Sequence, residues 1–149
     1  LLQGFSYIFK TPNKSKYPPI CELNLISDED IKIKGAGGEI SVRPLLVNHG
    51  EIDSLGFKIG KLAYIPDVLN IPSKTWKELE NLDILIIDAL RRDPHPSHTH
   101  LEKTLLWLKD LKPRRAILTN LHNDLDYSVL KKELPENVEP AFDGLELNI

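Results

Sequence analysis

The sequence predicts an α/β fold, and two observations carry that expectation. Up to about residue 67, short apolar and β-branched runs are broken by glycine turns, the pattern of antiparallel hairpins. From residue 73 onward, short apolar runs alternate with stretches of helical spacing, the pattern of parallel strands joined by crossover helices. A mixed sheet with crossover helices follows. With 149 residues, 41% of them hydrophobic, the chain can bury one core and reads as a single domain.

The elements are expected in this order. Residues 13–19, rich in lysine and proline, form an exposed loop. The stretch IKIKGAGGEISVRPLLVNHG, residues 31–50, folds into a hairpin about the glycines at 35–38. A second hairpin pairs SLGFKI with KLAYIPD about Gly60. Ser73 caps a short helix through KTWKELENL. DILIID is a buried strand that stops at Asp88, and residues 99–111 form a helix ended by Lys112-Pro113. RAILT is the next buried strand, LDYSVLKKEL a helix, and NVEPAFDGLELNI a closing strand pair about Asp143-Gly144.

Composition narrows the function. The net charge of −3 is spread along the chain, so no nucleic-acid or membrane-surface partner is expected, and Arg91-Arg92 and Arg114-Arg115 read as solvated ends of helices and loops. No apolar stretch is long enough to span a bilayer. Cys21 stands alone, which excludes an internal disulfide and fits a reducing, cytoplasmic setting. The chain opens on LLQGFSYIF and contains no methionine, so it is expected to be a piece of a longer protein.

Chemistry-bearing residues gather where the apolar strands stop: His49, Asp67, Asp88 and the pair Asn120 and His122. Each alone reads as a turn closer or a cap. In series they suggest one shared edge, because α/β sheets collect functional groups where strand ends meet loops. DPHPSHTHLE adds His95, His98 and His100 within six residues. Histidine is a common metal ligand and the side chain most ready to exchange a proton near neutral pH. The plainer reading of this stretch is a polar loop in which Ser97 or Thr99 caps the following helix.

Taken together, VNHG, YIPD, PSHTH and ILTNLHNDLDY, with the later LP and VEPAFDGLEL, resemble the C-terminal half of metallo-β-lactamase-fold hydrolases. The branch they resemble most is the phosphoribosyl 1,2-cyclic phosphate phosphodiesterases, relatives of the tRNA 3′-end endonucleases. The resemblance implies half of an αββα sandwich, two divalent metal ions (zinc or manganese), a small phosphodiester substrate and a homodimer. It implies that His49 is a metal ligand, Asp67 the carboxylate that bridges the two ions, and His98 a catalytic proton donor or phosphate contact. Two departures stand out. The His-x-His-x-Asp-His run that supplies most ligands in the family is absent, which places it in an N-terminal half outside these 149 residues and leaves this chain inactive alone. Asn120 occupies the place of the histidine in the family's Leu-Thr-His, and asparagine is a much poorer zinc ligand than imidazole. His122 could substitute only if the strand end bends, since residues two apart in a strand sit about 6–7 Å apart. The alternative reading is a degenerate, non-catalytic binding or interaction module.

Overall fold

The computed structural model describes residues 3–11 and 16–148, so Asn13, Lys14 and Ser15 of the expected loop lie outside the described residues. After a single helical turn, α1 (Ser6–Phe9), the described residues form seven strands and three more helices. In chain order they are β1 (Ile31–Gly35), β2 (Gly38–His49), β3 (Ile52–Ile59), β4 (Leu62–Ile65), α2 (Ser73–Glu78), β5 (Ile84–Asp88), α3 (Leu101–Leu111), β6 (Arg115–Thr119), α4 (Tyr127–Glu133) and β7 (Val138–Pro140). The strands lie in the sheet in the order in which they are synthesised, β1 to β7. The first four pair antiparallel and the last three pairings are parallel. Both expected hairpins are present, and β2 is long enough to belong to one with β1 and to pair with β3 along its second half. No helix among the described residues is long and apolar enough to cross a membrane.

This strand order positions the helices. Parallel strands that advance across a sheet in one direction through right-handed crossovers place every crossover helix on the same face. The core lies there: Leu45, Ile65, Ile87 and Leu118 pack with Leu108 and Leu111 of α3 and Leu130 of α4. The register puts Gly56 in the same row, where an added Cβ would come within 2.9 Å of the Ile65 side chain. The opposite face carries a second apolar row, Phe57, Tyr64, Ile86 and Ile117. Its cover is incomplete: Ile117 is buried, Phe57 and Ile86 are half-buried, and Tyr64 is 41% exposed, as is Leu46 at 53%.

Several local expectations are corrected. Residues 145–148 form no strand, so the closing pair about Asp143-Gly144 is absent; Pro140 has no N–H with which to extend the ladder, and Leu145 turns back to the Phe142 carbonyl. Ser73 is the first residue of α2 rather than its cap; Pro72 holds the cap position without a side-chain bond, and the helix ends at Glu78 before Asn81 takes a left-handed φ of 58°. Helix α3 begins at Leu101, and its cap position, His100, makes no side-chain bond. Thr99 is fully buried with its hydroxyl 3.2 Å from that of Thr104, and the Ser97 hydroxyl pairs with His95, so neither caps the helix.

Candidate metal centre

Two antiparallel steps, β2 to β3 and β3 to β4, make β2 and β4 run the same way, and β5 and β6 follow β4. The C-terminal ends of these four strands therefore share one edge. His49 ends β2, Asp67 lies two residues past β4, and His98 lies in the loop between β5 and α3. One ligand-capable atom from each of these three lies within 4.8 Å of the others. The rings of His49 and His98 meet edge to face with centroids 4.5 Å apart. Nδ1 of His49 is buried and has no hydrogen-bond partner among the described residues. Burying a polar atom unpaired costs about 1–3 kcal/mol, so such an atom calls for a ligand.

Backbone pairing holds the donors in register. The Leu69 amide donates to the Asn48 carbonyl at 2.7 Å and the Asn48 amide to the Asn70 carbonyl at 3.0 Å, which fastens the Asp67 loop to the end of β2. Lys103 reaches from α3 to the same loop, its Nζ 2.6 Å from the Leu69 carbonyl and 2.8 Å from Oδ1 of Asn70. The Thr99 amide donates to the Val68 carbonyl at 2.6 Å and brings the histidine loop alongside. That loop lies directly on Gly50: a Cβ there would stand 2.9 Å from the Pro96 carbonyl oxygen and 3.0 Å from Cβ of Ser97.

Asp88 is completely buried behind His98. Its Oδ2 lies 2.7 Å from Nδ1 of His98 and accepts the Val68 amide at 3.2 Å. Burial pushes the Asp88 carboxyl above the usual carboxylate range, against the opposing pull of the hydrogen bonds from His98, Val68 and Asn120 and of the His98 charge. A carboxylate behind one ring nitrogen fixes the tautomer and orientation of the other, which is the usual support of a working imidazole. Asp88 stood among the strand-end residues in the sequence, but its pairing with His98 joins residues ten apart across a loop and leaves no local pattern to read.

His122 is not part of the three-donor group. Asn120 has a left-handed φ of 61°, which asparagine tolerates better than most residues, and its Nδ2 lies 3.3 Å from Oδ1 of Asp88 and 3.1 Å from Nδ1 of His98. The amide thus joins the layer behind His98. The chain thus bends at the end of the strand, yet the bend does not bring His122 into the donor group: His122 pairs with Asp124 at 3.1 Å on the exposed rim. His95 lies against His98 with ring centroids 5.2 Å apart. Desolvation and the neighbouring charges of Arg91, His98 and His49 hold it below the ordinary histidine range.

A sequential mixed sheet with histidine and aspartate donors along one edge is accompanied by a family match: residues 1–120 fit the beta-lactamase superfamily domain. The chain belongs to the beta-lactamase superfamily. A solved diphosphatase of the PhnP family is 30% identical and superposes with a TM-score of 0.84, covering 100% of this chain and 54% of that one. Zn(2+)-bound PqqB from Methylobacterium extorquens (16% identical, TM-score 0.63) and the short form of human tRNase Z (19%, TM-score 0.56) share the fold. Those superpositions cover 86% and 81% of this chain, and 56% and 44% of the respective neighbours. An octanoyltransferase of Porphyromonas gingivalis is 30% identical over 145 residues, 94% of this chain and 28% of that protein. This superfamily chain therefore spans about half the length of its solved relatives and under a third of that curated one.

Proposed function

We propose that this chain supplies part of the active site of a metal-dependent hydrolase that cleaves a small phosphodiester, a cyclic phosphate being the substrate class. The observation that carries the reading is the convergence of His49, Asp67 and His98, one ligand-capable atom of each within 4.8 Å of the others, together with a buried His49 Nδ1 that has no partner among the described residues. The donor set suits a divalent cation: neutral imidazole and carboxylate oxygen both bind zinc and are compatible with manganese. Membership of the superfamily and the likeness to a PhnP-family diphosphatase support the same reading. Two cations need more donors than these. No His-x-His-x-Asp-His run occurs in the 149 residues, so the proposal includes a further segment that brings the remaining ligands.

In this reading His49 and Asp67 hold the cations. Bound there, they supply Lewis acidity toward a phosphoryl oxygen. His98 manages the proton: with Nδ1–H donated to Asp88, Nε2 is the atom that exchanges a proton with the leaving oxygen, a role worth about 10²- to 10⁴-fold in rate. The test is metal analysis of the dialysed natural protein together with turnover of bis(p-nitrophenyl) phosphate. Asp67→Asn should lose metal and turnover together, whereas His98→Ala should lose turnover and keep its metal. Loss of metal from His98→Ala would make His98 a ligand instead.

Asn120 favours a second reading, a degenerate member that binds without catalysing, because a neutral amide, its nitrogen bonded to Asp88, stands where the resemblance places a histidine ligand. In the enzyme reading Asn120→His raises metal occupancy. A wild-type protein that retains metal but hydrolyses no phosphodiester supports the second.

A further inference from the structure

The roles given to His49, Asp67 and His98 leave His95 unused, yet its surroundings fix it closely. Nδ1 of His95 accepts the backbone amides of Ser97 and His98, each at 3.3 Å. A backbone amide only donates, so Nδ1 bears no proton and the neutral ring carries its proton on Nε2. Among the described residues no group accepts from that Nε2–H. The loop is held from two sides. Arg91 donates from Nε to the Asp93 carbonyl at 3.1 Å and from Nη2 to the Pro94 carbonyl at 2.6 Å, while Pro96 and Ser97 rest on Gly50.

A donor of fixed tautomer stands beside the three-donor group, on a loop pinned by a guanidinium, with no acceptor for it among the described residues. We infer that His95 is a substrate-binding residue whose Nε2–H donates to a non-bridging phosphoryl oxygen of the substrate. The inference deepens the phosphodiester reading and rests on it. It also separates the neighbouring histidines by chemistry: His98, with a carboxylate at Nδ1, can take up and give up a proton at Nε2, whereas His95, with amides at Nδ1, keeps its proton on Nε2 and offers it as a hydrogen-bond donor.

Two substitutions distinguish binding from loop-building. His95→Asn keeps an acceptor oxygen near the Nδ1 position and removes the distal donor, while His95→Gln keeps a distal donor and gives up the acceptor. In the natural protein, with inorganic phosphate as the probe, His95→Asn should leave melting temperature and metal content unchanged and weaken phosphate binding about tenfold. His95→Gln should retain most of that affinity. Long-range proton–nitrogen spectra of the wild type should show His95 as the Nε2–H tautomer, with that nitrogen's resonance moving on addition of phosphate. An Nδ1–H tautomer, a resonance that does not move, or a His95→Asn protein that binds phosphate like wild type would each overturn the inference, and the spectral arm decides even if His95→Asn melts early. A wild type that binds phosphate through His95 but hydrolyses no diester sinks the phosphodiesterase reading alone. Hydrolysis that survives His95→Asn with unchanged KM sinks this inference alone.

Discussion

The buried carboxylate of Asp88 and the missing side chain of Gly50 do comparable work for His98 from opposite directions. Asp88 sets the ring's tautomer from behind, and Gly50 leaves the space on which the 95–98 loop rests. Asp88→Asn preserves an oxygen for Nδ1–H but removes the negative charge, and turnover should fall about 10- to 100-fold with the melting temperature little changed. Steady-state kinetics beside a thermal melt checks both halves of that expectation. Gly50→Ala should be worse tolerated: φ is +79°, a left-handed conformation costing a side-chain-bearing residue about 1–2 kcal/mol, and the new methyl also meets the Pro96 carbonyl. A lowered denaturation midpoint together with lost turnover is the expected result. At this scale the sequence was partly legible. Strand-final His49 and Asp67 announce themselves as polar stops after apolar runs, and His98 stands out in a histidine-rich loop. The side of Asn120 on which His122 falls depends on one backbone angle, which no spacing encodes.

Among the elements, helix α4 has the best-defined start. Asp126 occupies its cap and accepts the Val129 amide at 3.0 Å, so Asp126→Ala should cost about 1 kcal/mol in chemical denaturation with no effect on metal content. Helix α3 is tied through Lys103 to the loop that carries Asp67. Lys103→Met keeps an apolar stem near Trp107 but strands the Leu69 carbonyl, and a loss of about 1–3 kcal/mol is expected, with weaker metal retention as the accompanying readout. The strands were legible because their apolar runs are short and bounded by turns, and the helices because leucines recur at helical spacing. The end of the chain was misread: VEP and LEL both look strand-like, but a proline at the sheet's edge stops the ladder after three residues.

For the whole molecule, the sequence could not say which sheet face the helices cover, since both faces of the central strands are apolar, as in any sheet buried on two sides. Half of a sandwich leaves one sheet face bare, and the sequence offers Leu46, Ile65 and Ile86 as apolar residues for it. Ile65 instead points into the helical core at 0% exposure, Ile86 is half-buried, and Leu46 is open. Tyr64 and Leu46 on the uncovered side form the kind of surface that drives association. The 149 residues produced alone should therefore self-associate in sedimentation experiments, and a segment that covers the face should restore a monodisperse species. A dilute, cooperatively melting monomer of these residues would count against that expectation.

The strand order, β1 through β7 without a single exchange of neighbours, bears on how the chain reaches its folded state. Every pairing in the sheet joins strands consecutive along the chain: the antiparallel steps close tight turns at little entropic cost, and the parallel steps close the longer crossovers that carry α2, α3 and α4. A sheet of this kind can grow in the direction of synthesis, each new strand docking on the edge left by the last. His49 and Asp67 come into register once β4 has formed, while His98 takes its place only when β5 and α3 dock. Assembly of the donor group is thus a late event in folding, and a cation added during refolding should speed or stabilise the steps after β4 far more than those before it.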